Sequence, residues 1–142
     1  MPIRFFSEEI EFKILNPNKV KAWLIQSANQ ERKEITEISY IFCSDPYLLK
    51  LNQEYLNHDT LTDIITFDYS QGNKLSGEIY ISIDRVMENS QKFDSGFVDE
   101  LHRVMIHGVL HLCGYKDKNQ PDKTLMRKKE DAYLSLQKKR ST

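Results

Sequence analysis

Residues 98–113, VDELHRVMIHGVLHLC, carry the clearest helical pattern in the chain and decide its fold. Apolar residues surround most of the predicted helix, so we expect it to be largely buried at the centre of the molecule. Gly114 follows the stretch directly, and glycine often ends a helix because it tolerates left-handed backbone angles. The pattern therefore predicts one central helix that ends just before Gly114.

Two histidines, His107 and His111, lie four residues apart in this helix. Helical geometry places them about 40° apart around the axis and one turn from each other. Both imidazoles can then bind one ion, whereas two unpaired buried rings would each cost about 1–3 kcal/mol. The spacing indicates a metal site, and the alternative is a pair of core histidines with ordinary hydrogen-bond partners.

A third ligand is expected beyond Gly114, where a turn can bring Asp117 back toward the histidines. An Asp oxygen binds zinc at about 2.0–2.2 Å, and three protein ligands leave a fourth position for water, as in hydrolytic sites. Cys113 is a rival ligand, but it lies about 160° from His107 around the helix, and we assign it to the core. We predict one Zn²⁺ per chain, held by His107, His111 and Asp117, which act in catalysis through the metal-bound water.

Nearby polar residues extend the candidate site. Arg103 and Glu100 share the helix face of the histidines, where Arg103 could contact a phosphate in catalysis or form a surface salt bridge with Glu100. Asp63 and Glu78 are candidates for supporting positions behind the ligands. Gly108 occupies the position where a metalloprotease carries its catalytic glutamate, which argues against a protease, and its missing side chain leaves room for a group close to the helix backbone.

The rest of the chain alternates between strand and helix patterns. The predicted strands cover residues 2–14, 35–43, 63–69 and 76–83, the last two forming a hairpin. Further helices are predicted to begin near Asn16-Pro17-Asn18 and Ser44-Asp45-Pro46 and to cover residues 84–93 and 123–139. The last of these is expected to turn inward Leu125, Met126, Ala132, Tyr133 and Leu136. We predict an α/β or α+β fold in which residues 1–142 form a single layered domain, with a mixed sheet of about four strands packed against helices and the metal site on the central buried helix.

Composition narrows the classes of function. The 142 residues carry 20 basic and 21 acidic side chains, a net charge of −1, whereas proteins that coat nucleic acid non-specifically are usually far more basic. No apolar run approaches the roughly 20 residues that span a bilayer, and acidic residues interrupt the N-terminal apolar stretch, which does not resemble a signal peptide. Cys43 and Cys113 have no adjacent partner and suit a reducing compartment. We expect a cytoplasmic protein that does not bind membranes.

The histidine stretch resembles a known signature. Residues 107–115, HGVLHLCGY, are similar to the pattern H-G-x-L-H-L-x-G-Y-D-H of the YbeY endoribonuclease family of rRNA maturation factors. Leu51-Asn52, Tyr55, Asp59 and residues 62–67 (TDIITF) resemble the family's L-N-x-x-Y-R-x-x-D-x-P-T-D-V-L-S-F, and residues 77–82 (GEIYIS) resemble G-D-I-x-I-S. The order of the motifs agrees with the family over most of the chain.

The resemblance implies a single α/β domain with one zinc ion in a cleft, held by the signature histidines. It implies a single-strand-specific, metal-dependent endoribonuclease that matures ribosomal RNA, notably the 16S 3′ end, and acts in ribosome quality control. It further implies a bacterial, cytoplasmic protein whose partners are single-stranded rRNA and the ribosomal small subunit or its assembly factors.

Three departures from the family pattern bear on the chemistry. The family's Asp-His after the tyrosine is Lys116-Asp117 here, so a carboxylate would replace the third histidine ligand and make the metal a weaker Lewis acid. The family's arginine associated with RNA cleavage is Leu56, which removes a fixed phosphate clamp. His58 either compensates or is an exposed loop histidine, and Leu61 and Asp68 stand where the family often has proline.

Binding of RNA would need a basic surface, because phosphates dominate the affinity for nucleic acid. The C-terminal helix and tail offer Lys123, Arg127, Lys128, Lys129, Lys138, Lys139 and Arg140, unless these form an ordinary solvated helix face. Trp23 and Tyr115 are candidates for stacking on bases, although helical spacing favours the core for Trp23. A rival function is a ribosome-assembly factor that binds RNA or protein through a fold with a mainly structural metal, and a metal-free fold is the third possibility.

Overall fold

The computed structural model describes residues 2–58 and 60–140, apart from the side chain of Arg140. Asp59, part of the second matching motif, lies outside the described residues. In this part of the chain the strands are β1 (Ile3–Glu8), β2 (Glu34–Cys43), β3 (Ile64–Asp68) and β4 (Lys74–Ser82). The helices are α1 (Pro17–Gln30), α2 (Asp45–Leu56), α3 (Ile83–Lys92), α4 (Phe97–Leu112) and α5 (Gln120–Arg140).

The strands form one mixed sheet in the order β1-β2-β4-β3. β1, β2 and β4 run parallel, and β3 pairs antiparallel with β4 as the predicted hairpin. Parallel neighbours need crossover connections, which α1 supplies between β1 and β2, while α2 and β3 lie between β2 and β4 in the chain. The predicted α+β fold with a mixed sheet of about four strands is confirmed.

The first strand is shorter than predicted. It ends at Glu8 instead of continuing through residue 14, because Glu9 adopts a left-handed φ of 58°. A pleated strand cannot continue through that backbone angle. Phe12 and Ile14 nevertheless pack against the core from the loop that follows.

α4 is the central helix and packs against β3 and β4. Its buried residues include Leu101, Met105 and Leu110. A Cβ atom at Gly108 would lie 2.9 Å from Cδ1 of Ile79 and 3.2 Å from Cδ1 of Ile64. The missing side chain therefore leaves room for Ile79 and Ile64 close to the helix backbone and lets the helix approach the sheet, as expected.

α1 and α5 both pack against α4, and α1 also packs against β2. Trp23 is 1% exposed, and its indole Nε1 donates a hydrogen bond to the carbonyl of Tyr133 in α5 at 2.8 Å. α5 begins at Gln120, three residues before the predicted start at 123. Met126 and Tyr133 are buried as predicted, but Leu125 and Ala132 are exposed.

The expected cell compartment was argued from the absence of a membrane-spanning segment and from the two cysteines. In the described residues, no helix combines the length and the apolar character needed to cross a bilayer. Cys43 is buried and Cys113 is partly buried, and both are free thiols. Cys113 packs against the core, as its position on the helix predicts.

Candidate active site

The turn after α4 brings Asp117 to the histidine face. The amide of Gly114 donates to the carbonyl of His111, and the amide of Tyr115 donates to the carbonyl of Leu110, the two hydrogen bonds of a Schellman motif. Gly114 has a φ of 107°, a backbone angle that glycine adopts without strain. The chain reverses direction here, as the sequence predicts.

His107 lies between two carboxylates. Its Nδ1 is 2.7 Å from Oε2 of Glu130, and its Nε2 is 3.9 Å from Oδ2 of Asp117. Burial disfavours the charged ring, but the hydrogen bond to Glu130 and the charges of Glu130, Asp117 and Asp63 outweigh that effect and raise the pKa of His107. The ring therefore presents one edge to α5 and the opposite edge to Asp117.

His111 is exposed, in contrast to the expectation that both histidines are buried. It lies in the last turn of α4, beyond the cover of the neighbouring elements. Desolvation and the nearby charge of His107 lower the pKa of His111. The neutral imidazole that this favours is the form that binds a metal ion.

One cavity of about 1050 Å³ collects the three predicted ligands, His107, His111 and Asp117. In residues 2–58 and 60–140, no group of three or more His, Cys, Asp or Glu side chains stands at metal-binding distance. The Asp117 side chain is 44% exposed. Two imidazoles and one carboxylate are a donor set that suits zinc.

Two further acidic residues, Asp63 and Glu100, line the same cavity. Burial raises the pKa of Asp63, and the charges of Glu130 and Asp117 add to the effect. Burial also raises the pKa of Glu100, with a further contribution from Asp63. Asp63 thus lines the same cavity as the predicted ligands, and its supporting role stays a prediction.

Glu78, the other candidate for a supporting position, does not lie in the cavity. The Glu78 carboxylate accepts a hydrogen bond from the Tyr69 hydroxyl at 3.2 Å and does not line the cavity. Its neighbour Ile79 points toward Gly108 of α4. Because side chains alternate along a strand, Glu78 faces the other side of the sheet.

Arg103 lines the cavity but its salt-bridge partners differ from the predicted one. Its Nη1 donates to Oε1 of Glu130 at 2.9 Å, and its Nη2 donates to Oδ1 of Asp131 at 2.7 Å. Both partners lie on α5, so the guanidinium ties α4 to α5 instead of pairing with Glu100. A phosphate at this position would have to share these donors with the two carboxylates.

Cationic side chains also line the cavity, namely Lys116, Lys118, Lys123 and Arg127. Two of these belong to the C-terminal cluster for which RNA contacts were predicted. Lys129 of the same cluster faces elsewhere, because its Nζ pairs with Oε2 of Glu31 at 3.1 Å. The positive lining can contact the phosphates of a nucleic acid.

Two residues discussed with the family departures, besides Lys116 and Asp117, line the cavity. Leu56 and His58 both line it, and both are exposed. Of the two candidates for stacking on bases, Trp23 is buried in the core. Tyr115 donates a hydrogen bond to Oε1 of Glu31 at 2.6 Å, and the ammonium of Lys129 lies 5.5 Å from its ring centroid.

Glu130 is the site residue that the sequence reasoning missed. It is 6% exposed and contacts both Arg103 and His107. A signal was present in the sequence, because Glu130 lies four residues after Met126 and three before Tyr133, on the buried stripe of α5. A charged residue on a buried helical stripe requires a partner.

A known protein family matches most of the chain. A model of the family described as Endoribonuclease YbeY matches residues 3–138. The chain belongs to the YbeY family. The family match spans both the histidine signature and the Leu56 wall of the cavity, and the resemblance identified from the sequence is confirmed.

Named relatives and a solved structure agree with the YbeY assignment. The Endoribonuclease YbeY of Flavobacterium psychrophilum is 56% identical over 131 residues, which is 92% of this chain and 94% of the relative. The Endoribonuclease YbeY of Cytophaga hutchinsonii is 51% identical over 137 residues, which is 96% of each chain. A solution structure of a Thermotoga maritima protein matches with a TM-score of 0.66 and 30% identity, covering 95% of this chain and 88% of that one.

Proposed function

We propose that this YbeY-family chain is a single-strand-specific, zinc-dependent endoribonuclease. The observation that carries the proposal is the cavity, which is lined by His107, His111 and Asp117 and by a group of lysine and arginine side chains. The donors suit a divalent metal and the cations suit a polyanion. The family membership supports RNA as that polyanion.

The charges of the side chains that line the cavity give each group of residues a proposed role. His107, His111 and Asp117 would hold the metal, and Lys116 and Lys118, adjacent to Asp117, would bind the phosphates on either side of the scissile bond. Zinc in such a site supplies Lewis-acid polarisation of a phosphoryl oxygen and a lower pKa for water. Asp63, whose pKa burial raises, can hold a proton on its carboxyl group closer to neutral pH than an exposed aspartate can.

The proposed biological role is maturation of ribosomal RNA, including the 16S 3′ end, together with ribosome quality control. Its partners would be single-stranded rRNA and the small subunit or its assembly factors. The proposed location is the cytoplasm, where the free thiols of Cys43 and Cys113 stay reduced.

The test is to incubate zinc-loaded protein with single-stranded and duplex rRNA fragments, with His111→Ala as the matched variant. We expect cleavage of the single strands by the wild-type protein, loss of cleavage on addition of a chelator, and loss of cleavage in the variant. Equal cleavage by wild type and His111→Ala would point to a contaminating nuclease and refute the assignment.

A second candidate function is a ribosome-assembly factor that binds RNA or protein, with a mainly structural metal. The observation that favours it is the aliphatic side chain of Leu56 on the cavity wall, together with the engagement of Arg103 by Glu130 and Asp131. Both features reduce the number of free guanidinium groups for a phosphate. Tight binding of RNA by both wild type and His111→Ala, with cleavage by neither, would favour this function.

A further inference from the structure

A buried carboxylate contacts the predicted metal ligand from behind. Glu130 is 6% exposed, and its Oε2 lies 2.7 Å from Nδ1 of His107. The other oxygen, Oε1, accepts a hydrogen bond from the guanidinium of Arg103 at 2.9 Å. A carboxylate paired with a guanidinium is an acceptor, so Nδ1 of His107 donates the proton in this hydrogen bond.

This hydrogen bond determines which nitrogen of the His107 ring can bind a metal ion. A neutral imidazole carries one proton, and a proton on Nδ1 leaves the lone pair on Nε2. Nε2 is the atom that faces Asp117. We propose that Glu130 is a positioning residue that fixes both the tautomer and the orientation of His107, so that Nε2 is presented to a divalent cation. The inference rests on the proposed function, because it takes His107 as a metal ligand.

The surroundings of Glu130 hold the carboxylate in place. Met126 and Tyr133 anchor its stretch of α5 in the core, and the guanidinium of Arg103 fixes the outer oxygen. Asp131 accepts a hydrogen bond from the second nitrogen of the same guanidinium at 2.7 Å but is exposed, and in the described part of the chain the hydrogen-bond and ion-pair partners of His107 are Glu130 and Asp117. The two carboxylates therefore share Arg103 and differ in their contact with the imidazole, which makes Asp131 a matched control.

The first test measures zinc affinity by competition with a chromogenic chelator in wild type, Glu130→Gln, Glu130→Ala, Asp131→Asn and His107→Ala. We expect Glu130→Gln to bind zinc roughly 10–100-fold more weakly than wild type, the usual effect of losing a partner of a ligating histidine. Asp131→Asn should bind zinc as wild type does. Melting temperatures of the metal-free proteins show which variants are folded, and Glu130→Gln, which keeps the size of the side chain, carries the test if Glu130→Ala unfolds.

The second test needs no metal. The ¹⁵N chemical shifts of the His107 ring, measured at a pH where the ring is neutral, should show the proton on Nδ1 in wild type and Asp131→Asn. In Glu130→Gln we expect a mixture of tautomers, because the amide can accept or donate. A structural role for Glu130, confined to holding α5 against α4, would change the melting temperature and leave the tautomer as it is.

The outcomes separate the two proposals. If wild type binds no zinc, the proposed function fails, and the ring tautomer still decides whether Glu130 positions His107. If wild type binds zinc and Glu130→Gln binds it equally well with the same tautomer, only the role of Glu130 is overturned. A loss in Glu130→Gln as complete as in His107→Ala would make Glu130 itself a ligand and would also overturn the positioning role.

Discussion

Asp117 is the proposed metal ligand that lies outside α4. Its carboxylate is exposed and 3.9 Å from Nε2 of His107, whereas Asp122, five residues later, lies in the first turn of α5. We expect Asp117→Ala to weaken zinc binding by more than the roughly 10–100-fold that loss of an outer hydrogen-bonding partner costs. Asp122→Ala should have little effect in the same zinc titration. Equal effects of the two substitutions would mean that the wrong carboxylate has been assigned as the ligand.

Leu56 stands where the family has an arginine, and the phosphate contact that this arginine would make can be restored by substitution. It lines the cavity, whereas Leu61, also exposed and in the loop that follows α2, does not. Leu56→Arg should raise the affinity for single-stranded RNA and steepen the dependence of log K on log salt by about 0.7, the effect of one added phosphate contact. The measurement is fluorescence anisotropy at several salt concentrations. Leu61→Arg is the control, and an equal gain in that variant would show only a general effect of charge.

The sequence was sufficient to predict that three residues of one short segment lie at the same cavity, while their role as metal ligands stays a prediction. His107, His111 and Asp117 are connected by a helix and a glycine turn whose geometry follows from local rules, and the structure brings all three to one cavity. Glu130 contacts His107 across 23 positions of sequence, and no local rule gives the rotation of α5 relative to α4. The partners of Arg103 were mistaken for the same reason, since Asp131 and Glu130 both belong to α5.

At the scale of the elements, close approach of β3 and β4 depends on Gly77. A Cβ atom there would lie 2.4 Å from the backbone oxygen of Phe67, which is held in the antiparallel ladder where Phe67 pairs with Glu78. We expect Gly77→Ala to lower the free energy of unfolding by about 1–3 kcal/mol, because the ladder must shift to relieve the overlap. Chemical denaturation measures the change.

Gly96 provides the comparison for that substitution. It precedes α4 with a φ of −72°, and a Cβ atom there would meet only an oxygen of Asp99 at 3.8 Å. Gly96→Ser should leave the stability within about 0.5 kcal/mol of wild type or raise it, because serine is a good residue at the start of a helix. A Gly77→Ala protein as stable as Gly96→Ser would refute the steric argument for the hairpin.

The types of the elements were more predictable than their boundaries. Helix and strand patterns gave every strand and helix of residues 2–58 and 60–140 in the right order. The boundary errors have local causes. Glu9 ends β1 with its left-handed φ, and Asn119, just before α5, accepts hydrogen bonds from the amides of Asp122 and Lys123. The exposure of Leu125 and Ala132 shows that α5 is rotated relative to the stripe expected from apolar residues alone, because Glu130 occupies part of the buried face.

At the scale of the whole molecule, Glu31 connects three separate parts of the chain. It follows α1, and its carboxylate accepts hydrogen bonds from the hydroxyls of Tyr115 and Tyr133 and from Nζ of Lys129. Burial alone would raise the pKa of Glu31, but these three donors outweigh it and lower the pKa below the ordinary value of 4.5. The ionised carboxylate is therefore the form that stabilises the fold.

The sign of the pH dependence follows from that lowered pKa. The contribution of Glu31 to stability is complete above about pH 4.5, the value in the unfolded chain, and is lost as the pH falls through the lower pKa of the folded state. Glu31→Gln should lower the free energy of unfolding at pH 7 by about 1–3 kcal/mol, the usual cost of disrupting a buried hydrogen-bonded group. Thermal melts from pH 7 to pH 3 should show the gap between the two proteins closing below about pH 4.5, and a constant gap would contradict the assignment.

The order of the strands in the sheet could not be predicted from the sequence. Apolar alternation identifies a strand and its buried face, but the insertion of β4 between β2 and β3 depends on contacts such as that of Ile38 with Gly77 in the parallel ladder. The hairpin was predictable because Gln71-Gly72-Asn73 marks a local turn. The parallel pairings join residues far apart in sequence, and only the assembled core selects them.

The hydrogen bond between Trp23 and Tyr133 joins residues 110 positions apart. Trp23 is the only tryptophan in the chain, so its fluorescence emission reports the docking of α5 without an added dye. His102 of α4 also packs against the indole ring, with 5.6 Å between the ring centroids. The burial of this one ring thus requires two helices that come later in the chain, and a blue shift of its emission during refolding would time their packing against α1.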